Sequence, residues 1–141
     1  MIERAEVEMG VQARTVAIID DDLPVLESLV NLLASCGYKA EPYSSAEQFL
    51  GADGLSKTSC IITDVEMQQM SGLDLLHHVM KGSSPVPVVI ITGKPSENSE
   101  SFYLERGAVG FFRKPVDGDA LVDLLRLVLL RKEHTPGAKQ T

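Results

Sequence analysis

Four short apolar runs in this chain each stop abruptly at a polar group. Val16-Ala17-Ile18-Ile19 runs into Asp20-Asp21-Asp22, and Ile61-Ile62-Thr63 runs into Asp64. Val88-Val89-Ile90-Ile91 leads to Thr92-Gly93, and Val109-Gly110-Phe111-Phe112 to Arg113-Lys114-Pro115. Runs this short, continuously apolar and rich in Val and Ile, fit strands buried on both faces. If the strands are parallel, their carboxyl ends share one edge of a sheet, where open α/β folds place ligands. Aspartates, a hydroxyl and a lysine then meet in one cleft, an inventory suited to a divalent cation and a phosphoryl group.

The stretches between these runs read mainly as helices. Asp22 can cap the first, and Pro24 suits its first turn, where a missing N–H costs nothing. Leu26, Leu29, Val30 and Leu33 follow at helical spacing, and Gly37 stops the helix. Residues 38–43 form a further strand, placed at a sheet edge by Pro42. Ser44 or Ser45 caps a short helix through Leu50, a loop covers 51–56, and the strand to Asp64 follows over 60–63. Gly72 precedes a helix with Leu73, Leu76, Val79 and Met80 on or near one face. The next strand spans 86–92. The helix expected over 95–106 opens with serines and an asparagine, all modest helix formers, and is the least secure element. A fifth strand covers 108–112. The last helix opens at Asp117 or Gly118 and runs to about Lys132, with Leu121, Leu124, Leu125 and Val128 toward the sheet and Leu130 nearly opposite.

A β-α unit repeated five times with short links predicts an α/β fold, a parallel sheet with helices on both faces. The expected organisation is a loose leader over 1–13, one domain over 14–132 and a flexible tail over 133–141. At 141 residues and 44% hydrophobic content, one globular domain fits. No apolar run approaches the ~20 residues of a membrane span, and the start has no signal-peptide pattern. A cytoplasmic protein is expected, with Cys36 and Cys60 as small buried thiols in a reducing compartment. The formal net charge of −7 argues against direct contact with a nucleic-acid backbone. His77 and His78 are adjacent on a helix, about 100° apart, and read as surface residues rather than metal ligands.

Magnesium favours one or two carboxylates with water and phosphate oxygens, and Asp21 and Asp64 can supply them if their strands are neighbours. A carboxylate can also be the nucleophile that forms an acyl phosphate. Lys114 is placed to neutralise the phosphoryl oxygens, and the Thr92 hydroxyl can hydrogen-bond one of them. Singly, each has a bland reading: a lone Asp after a strand is most often a cap or turn residue. All four at successive strand ends are much harder to obtain by accident.

The ordered set Ile19-Asp20-Asp21-Asp22 with Pro24, Thr63-Asp64 with Met67 and Met70-Ser71-Gly72, Ile91-Thr92-Gly93, Gly107-Ala108 and Lys114-Pro115 resembles the response-regulator receiver domain of two-component signalling. The resemblance covers roughly residues 14–132. It implies a flavodoxin-like (βα)5 three-layer sandwich, with a five-stranded parallel sheet in the order 2-1-3-4-5. It implies that Asp64 accepts a phosphoryl group from a sensor histidine kinase or histidine phosphotransfer protein. Asp21, Asp64 and the Glu66 backbone carbonyl would hold magnesium, with Asp20 assisting through water. Thr92 and Phe111 would be the switch pair, the hydroxyl moving toward the phosphoryl group and the ring turning inward. Such a chain is a phosphoacceptor switch rather than an enzyme, with self-catalysed transfer and slow autodephosphorylation only. The surface over 95–132 is the expected site for a partner or a homodimer.

Three positions depart from the family pattern. Gln68 stands where proline is usual, Val116 replaces a frequent aromatic, and 94–101 is unusually polar. Rival readings are an interaction module with a silent site, an aspartate-nucleophile phosphatase and a flavin-binding electron carrier. The phosphatase normally attacks from the first strand, and three aspartates would repel a flavin phosphate.

Overall fold

The computed structural model describes residues 14–93 and 99–139, with side chains described as far as residue 130. The expected leader over 1–13 and the stretch 94–98 lie outside the described residues. Five strands form one parallel sheet: β1 (Thr15–Ile19), β2 (Lys39–Tyr43), β3 (Cys60–Asp64), β4 (Val88–Thr92) and β5 (Gly110–Arg113). Their order is β2-β1-β3-β4-β5, the flavodoxin-like order expected. The helices are α1 (Leu23–Ser35), α2 (Ala46–Gly51), α3 (Gly54–Lys57), α4 (Gly72–Met80), α5 (Glu100–Glu105) and α6 (Gly118–Lys139).

Alternation along the strands sorts their side chains into two cores. Val16, Ile18, Ile62, Val89 and Ile91 face α1 and α6, where Leu26, Leu29, Leu33, Leu121 and Leu125 close over them. Ala17, Ile19, Ile61, Val88 and Ile90 face the other way, onto Phe49 of α2, Leu75 and Leu76 of α4 and Tyr103 of α5. Both faces of β1, β3 and β4 are covered, so these strands show no polar positions until their ends, while the edge strand β2 carries Lys39 and Glu41. Each fully buried Val, Leu or Ile is worth about 1.5–3 kcal/mol against exposure.

The helix starts follow the capping residues. Asp22 accepts from Val25 N–H at 3.4 Å, and Ser45 from Gln48 N–H at 3.0 Å. Ser71 and Asp74 exchange reciprocal bonds at the start of α4, and Asp117 accepts from Ala120 N–H at 3.1 Å. Each such cap contributes about 1 kcal/mol.

Several expected boundaries shift, each for a local reason. β4 begins at Val88 because Pro85 and Pro87 have no N–H to give the ladder. β5 begins at Gly110 because the amides of Gly107 and Ala108 are used to close α5, on Leu104 O and Tyr103 O. Gly107 makes that reversal with φ +110°. The expected loop over 51–56 contains the short helix α3, where Gly54 lies so close to the Phe49 ring that no Cβ would fit. Cys60 is buried as expected, but Cys36 is exposed, because it caps the end of α1 after Leu33 has taken the last buried position. α6 runs to Lys139, beyond the expected end near Lys132. It is also rolled relative to the expected face. Val122 and Leu129 are buried beside Leu121 and Leu125, while Leu124 and Val128 are only half-buried. Leu124 lies over Gly110 of the edge strand β5, where the sheet ends.

Candidate functional site

The register of the strands assembles the site. Ile19 pairs with Thr63, so Asp20 and Asp64 follow side by side at the ends of β1 and β3. Asp64 pairs with Ile91, and Thr92 with Arg113, which places Thr92 and Lys114 one step beyond on β4 and after β5. The Lys114 N–H donates to Thr92 O at 2.8 Å, so the two are locked at the backbone. The Lys114–Pro115 bond is cis. Gly93 lets the Lys114 stem pass, since a Cβ there would come within 3.2 Å of Lys114 Cδ.

The side chains converge. Lys114 Nζ lies 2.8 Å from Asp20 Oδ2 and 3.5 Å from Asp64 Oδ1. Asp20 Oδ1 accepts from Asp22 N–H at 2.9 Å, and Asp20 N–H donates to Tyr43 O, so this carboxylate is pinned on three sides. Carboxylate oxygens of Asp20, Asp21 and Asp64 lie within 4.8 Å of one another, Asp20 and Asp64 buried and Asp21 exposed. Asp22 is outside that cluster and serves as the α1 cap. Glu66 follows Asp64 by two residues, with an exposed side chain that is not part of the cluster. Thr92 is buried at the mouth of the site. Phe111 is half-buried, its ring stacked on Tyr103 with centroids 5.5 Å apart. His77 and His78 are both exposed, away from this cluster.

The electrostatics are those of a site short of positive charge. Burial, then the neighbouring Asp20 carboxylate, push the Asp64 pKa up to about 6, against the opposing pull of Lys114. For Lys114, burial lowers the pKa, but Asp20 and Asp64 outweigh it and the net shift is upward. Asp20 Oδ2 and Asp64 Oδ1 are buried without a well-formed hydrogen bond; the ammonium close by is their charge partner. Among the described residues, three carboxylates face one ammonium, leaving two net negative charges in an all-oxygen donor cluster. That donor set fits a magnesium ion, which prefers carboxylate and water oxygens.

Sequence reasoning missed Glu47. Its Oε2 accepts from Met70 N–H at 2.8 Å across 23 residues of chain, into the loop that follows Asp64. No local pattern marks a partner so distant. It missed the role of Gly72 as well: a Cβ there would collide with Asp64 O, so α4 can begin against the end of β3 only with glycine.

Residues 16–126 match the model of the response regulator receiver domain. The chain belongs to the response regulator receiver family. Among curated relatives, this receiver is 36% identical over 121 residues to the response regulator protein TodT of Pseudomonas putida, covering 86% of this chain and 53% of that protein. It is 34% identical over 123 residues to the transcriptional regulatory protein FixJ of Bradyrhizobium diazoefficiens, covering 86% of this chain and 58% of FixJ. The chain thus spans little more than half the length of these relatives. Among solved structures, the response regulator StyR superposes with a TM-score of 0.80 at 31% identity, covering 90% of this chain and 64% of that one. The structure named FixJ-N gives 0.72 at 30% identity, covering 82% of this chain and 93% of that one. Among the described residues, no helix is long and apolar enough to cross a membrane.

Proposed function

We propose that this receiver takes a phosphoryl group on Asp64 from a sensor histidine kinase or a histidine phosphotransfer protein. The observation that carries this is the setting of Asp64: a buried carboxylate at the end of β3, 3.5 Å from the Lys114 ammonium, inside an oxygen cluster with excess negative charge. Asp21, Asp64 and the Glu66 carbonyl would hold magnesium, with Asp20 behind them. The ion would supply positive charge to the phosphoryl oxygens and the attacking carboxylate. An Asp64 oxygen attacks phosphorus, the phosphorus–nitrogen bond of the donor phosphohistidine breaks, and the leaving imidazole keeps its electron pair. Lys114 exchanges part of its pairing with Asp64 for a phosphoryl oxygen, and the Thr92 hydroxyl hydrogen-bonds another. Later attack by water on the acyl phosphate returns Asp64 and inorganic phosphate, a slow self-catalysed step rather than enzymatic turnover.

The output we infer is a shift between two pre-existing arrangements. Thr92 moves toward the phosphoryl group, and the Phe111 ring follows, turning further inward and altering its stack with Tyr103 of α5. The surface that changes carries exposed apolar side chains: Leu104 at 40% exposure, Val109 at 38%, Leu127 at 60% and Leu130 at 53%. It is the partner or homodimer face of this reading. The acidic chain does not itself bind nucleic acid, and its place is the cytoplasm, where phosphohistidine donors work.

Incubation with acetyl phosphate and magnesium tests the assignment. Mass spectrometry of the intact protein should show one added phosphoryl group in wild type and none in Asp64→Asn. Equal labelling of the two would move the acceptor elsewhere, and no labelling of wild type would favour a silent interaction module.

A further inference from the structure

We infer that Glu47 is a positioning residue for the loop between β3 and α4, holding the Glu66 carbonyl where the cation site needs it. The inference rests on the reading of that site given above.

The loop is tied at its two ends by bonds close to the sheet and to α4. Val65 N–H donates to Ile91 O at 3.0 Å, Gly72 N–H to Val65 O at 3.0 Å, and Ser71 N–H to Asp74 Oδ2 at 3.1 Å. Its middle rests on the core through the half-buried Met67 and Met70, and its other side chains are open to solvent. Glu66, Gln68 and Gln69 are exposed, and a pocket of about 430 Å³ separates Met67, Gln68 and Gln69 from Ser44 and Ser45. Gln68 does not fix φ as the proline usual in this family would. A loop with an open flank and a free φ needs support from another element.

Glu47 supplies it across the end of that pocket, with the 2.8 Å bond from Met70 N–H to Oε2. The arm stands on a firm base. Ala46 and Phe49 of α2 are fully buried, and the Phe49 ring meets Tyr43 edge-on at 5.2 Å. The neighbouring Gln48 is already occupied, accepting from Ser44 N–H at 2.7 Å. Successive helical positions diverge by about 100°, so Glu47 points to the loop while Gln48 closes its own helix start. The bond needs an acceptor oxygen at the end of a two-carbon stem, a reach that Glu and Gln share and Asp lacks.

Three substitutions separate reach from charge. Glu47→Gln keeps the reach and an acceptor oxygen but loses the charge. Glu47→Asp keeps the charge and loses the reach, and Glu47→Ala loses both. The first readout is hydrogen exchange of the Met70 amide in cation-free protein. The second is the magnesium dissociation constant from direct titration. In Glu47→Ala and Glu47→Asp, Met70 exchange should quicken roughly 5-fold or more and magnesium binding weaken about 3- to 10-fold, the scale of one ordinary side-chain to backbone hydrogen bond. Glu47→Gln should stay within about 2-fold of wild type in both. Unchanged exchange and affinity in Glu47→Ala would overturn the inference. So would Glu47→Gln falling with Glu47→Ala while Glu47→Asp stays normal, which would make charge the cause. If wild type binds no magnesium, the reading of the site fails, while Met70 exchange still decides whether Glu47 holds the loop.

Discussion

The interior of the sheet and its carboxyl edge are built from the same strands and have opposite energetics. Two residues below the edge, Ile62 is wholly buried between Ile18 and Val89. At the edge, Asp20 and Asp64 are also buried, but among the described residues their charges share one close ammonium. Burial stabilises in the first region and is a cost in the second. A fold that buries carboxylates this way depends on the interior to offset the cost at its rim.

The largest effect expected of that contrast is on the interior side. Ile62→Ala should lower unfolding free energy by about 2–5 kcal/mol, measured by urea denaturation, since it leaves a cavity between two packed layers. A loss under about 1 kcal/mol would mean that the two cores are not closely packed.

A smaller effect of opposite sign is expected at the rim. Asp64→Asn should stabilise the cation-free protein near pH 7 by about 1–2 kcal/mol, given about 1.4 kcal/mol per unit of pKa shift and some screening by solvent at the open Asp21 side. The folded pKa of Asp64, about 6, lies above its ordinary value of 3.8. Below about pH 4 the folded and unfolded forms are both protonated there, and the group costs nothing. Between about 4 and 6 the folded form holds the proton more tightly, so stability falls as pH rises through that window and then levels. Thermal melts at several pH values should show this decline in wild type and a shallower one in Asp64→Asn. Parallel curves would remove Asp64 as the source.

The contrast sharpens within the acidic triplet itself. Asp21→Ala should weaken magnesium binding about 10-fold or more and Asp22→Ala only slightly, because Asp22 is turned to the start of α1. Titration followed by calorimetry would separate them, and a larger loss at Asp22 would reverse the assignment. The smallest effect should come from Leu130→Lys on the exposed side of α6. It should leave stability within ~0.5 kcal/mol but weaken self-association or partner binding in the presence of beryllofluoride, as followed by sedimentation. Identical sedimentation of the two proteins would place the output face elsewhere.

How legible each region was in the sequence follows the same division. The central strands β1, β3 and β4 announced themselves because both faces are buried, leaving uninterrupted apolar runs whose ends had to be polar. Asp20, Asp21, Asp64 and Lys114 could therefore be brought together from strand ends alone. What escaped were features decided by contacts between distant segments. The roll of α6 toward Val122 and Leu129 depends on where the sheet ends at β5, which helical spacing does not encode. Cys36 is exposed because it is the C-cap of α1, past the last buried turn at Leu33. Glu47 and Gly72 matter because of Met70 and the Asp64 carbonyl, and nothing in their own neighbourhoods points there.

Gly72 has a mechanical consequence. Its Cα rests against the Asp64 carbonyl, its N–H is bonded to Val65 O, and Val65 N–H is bonded to Ile91 O. The main chain at Asp64 and Val65 is thus clamped between α4 and β4. A load applied at the Asp64 side chain meets a stiff anvil on the α4 side. On the proposed reading, displacement would pass to the other side, through Lys114, Thr92 and the Phe111–Tyr103 stack. A missing methyl group would then set the direction of the recoil.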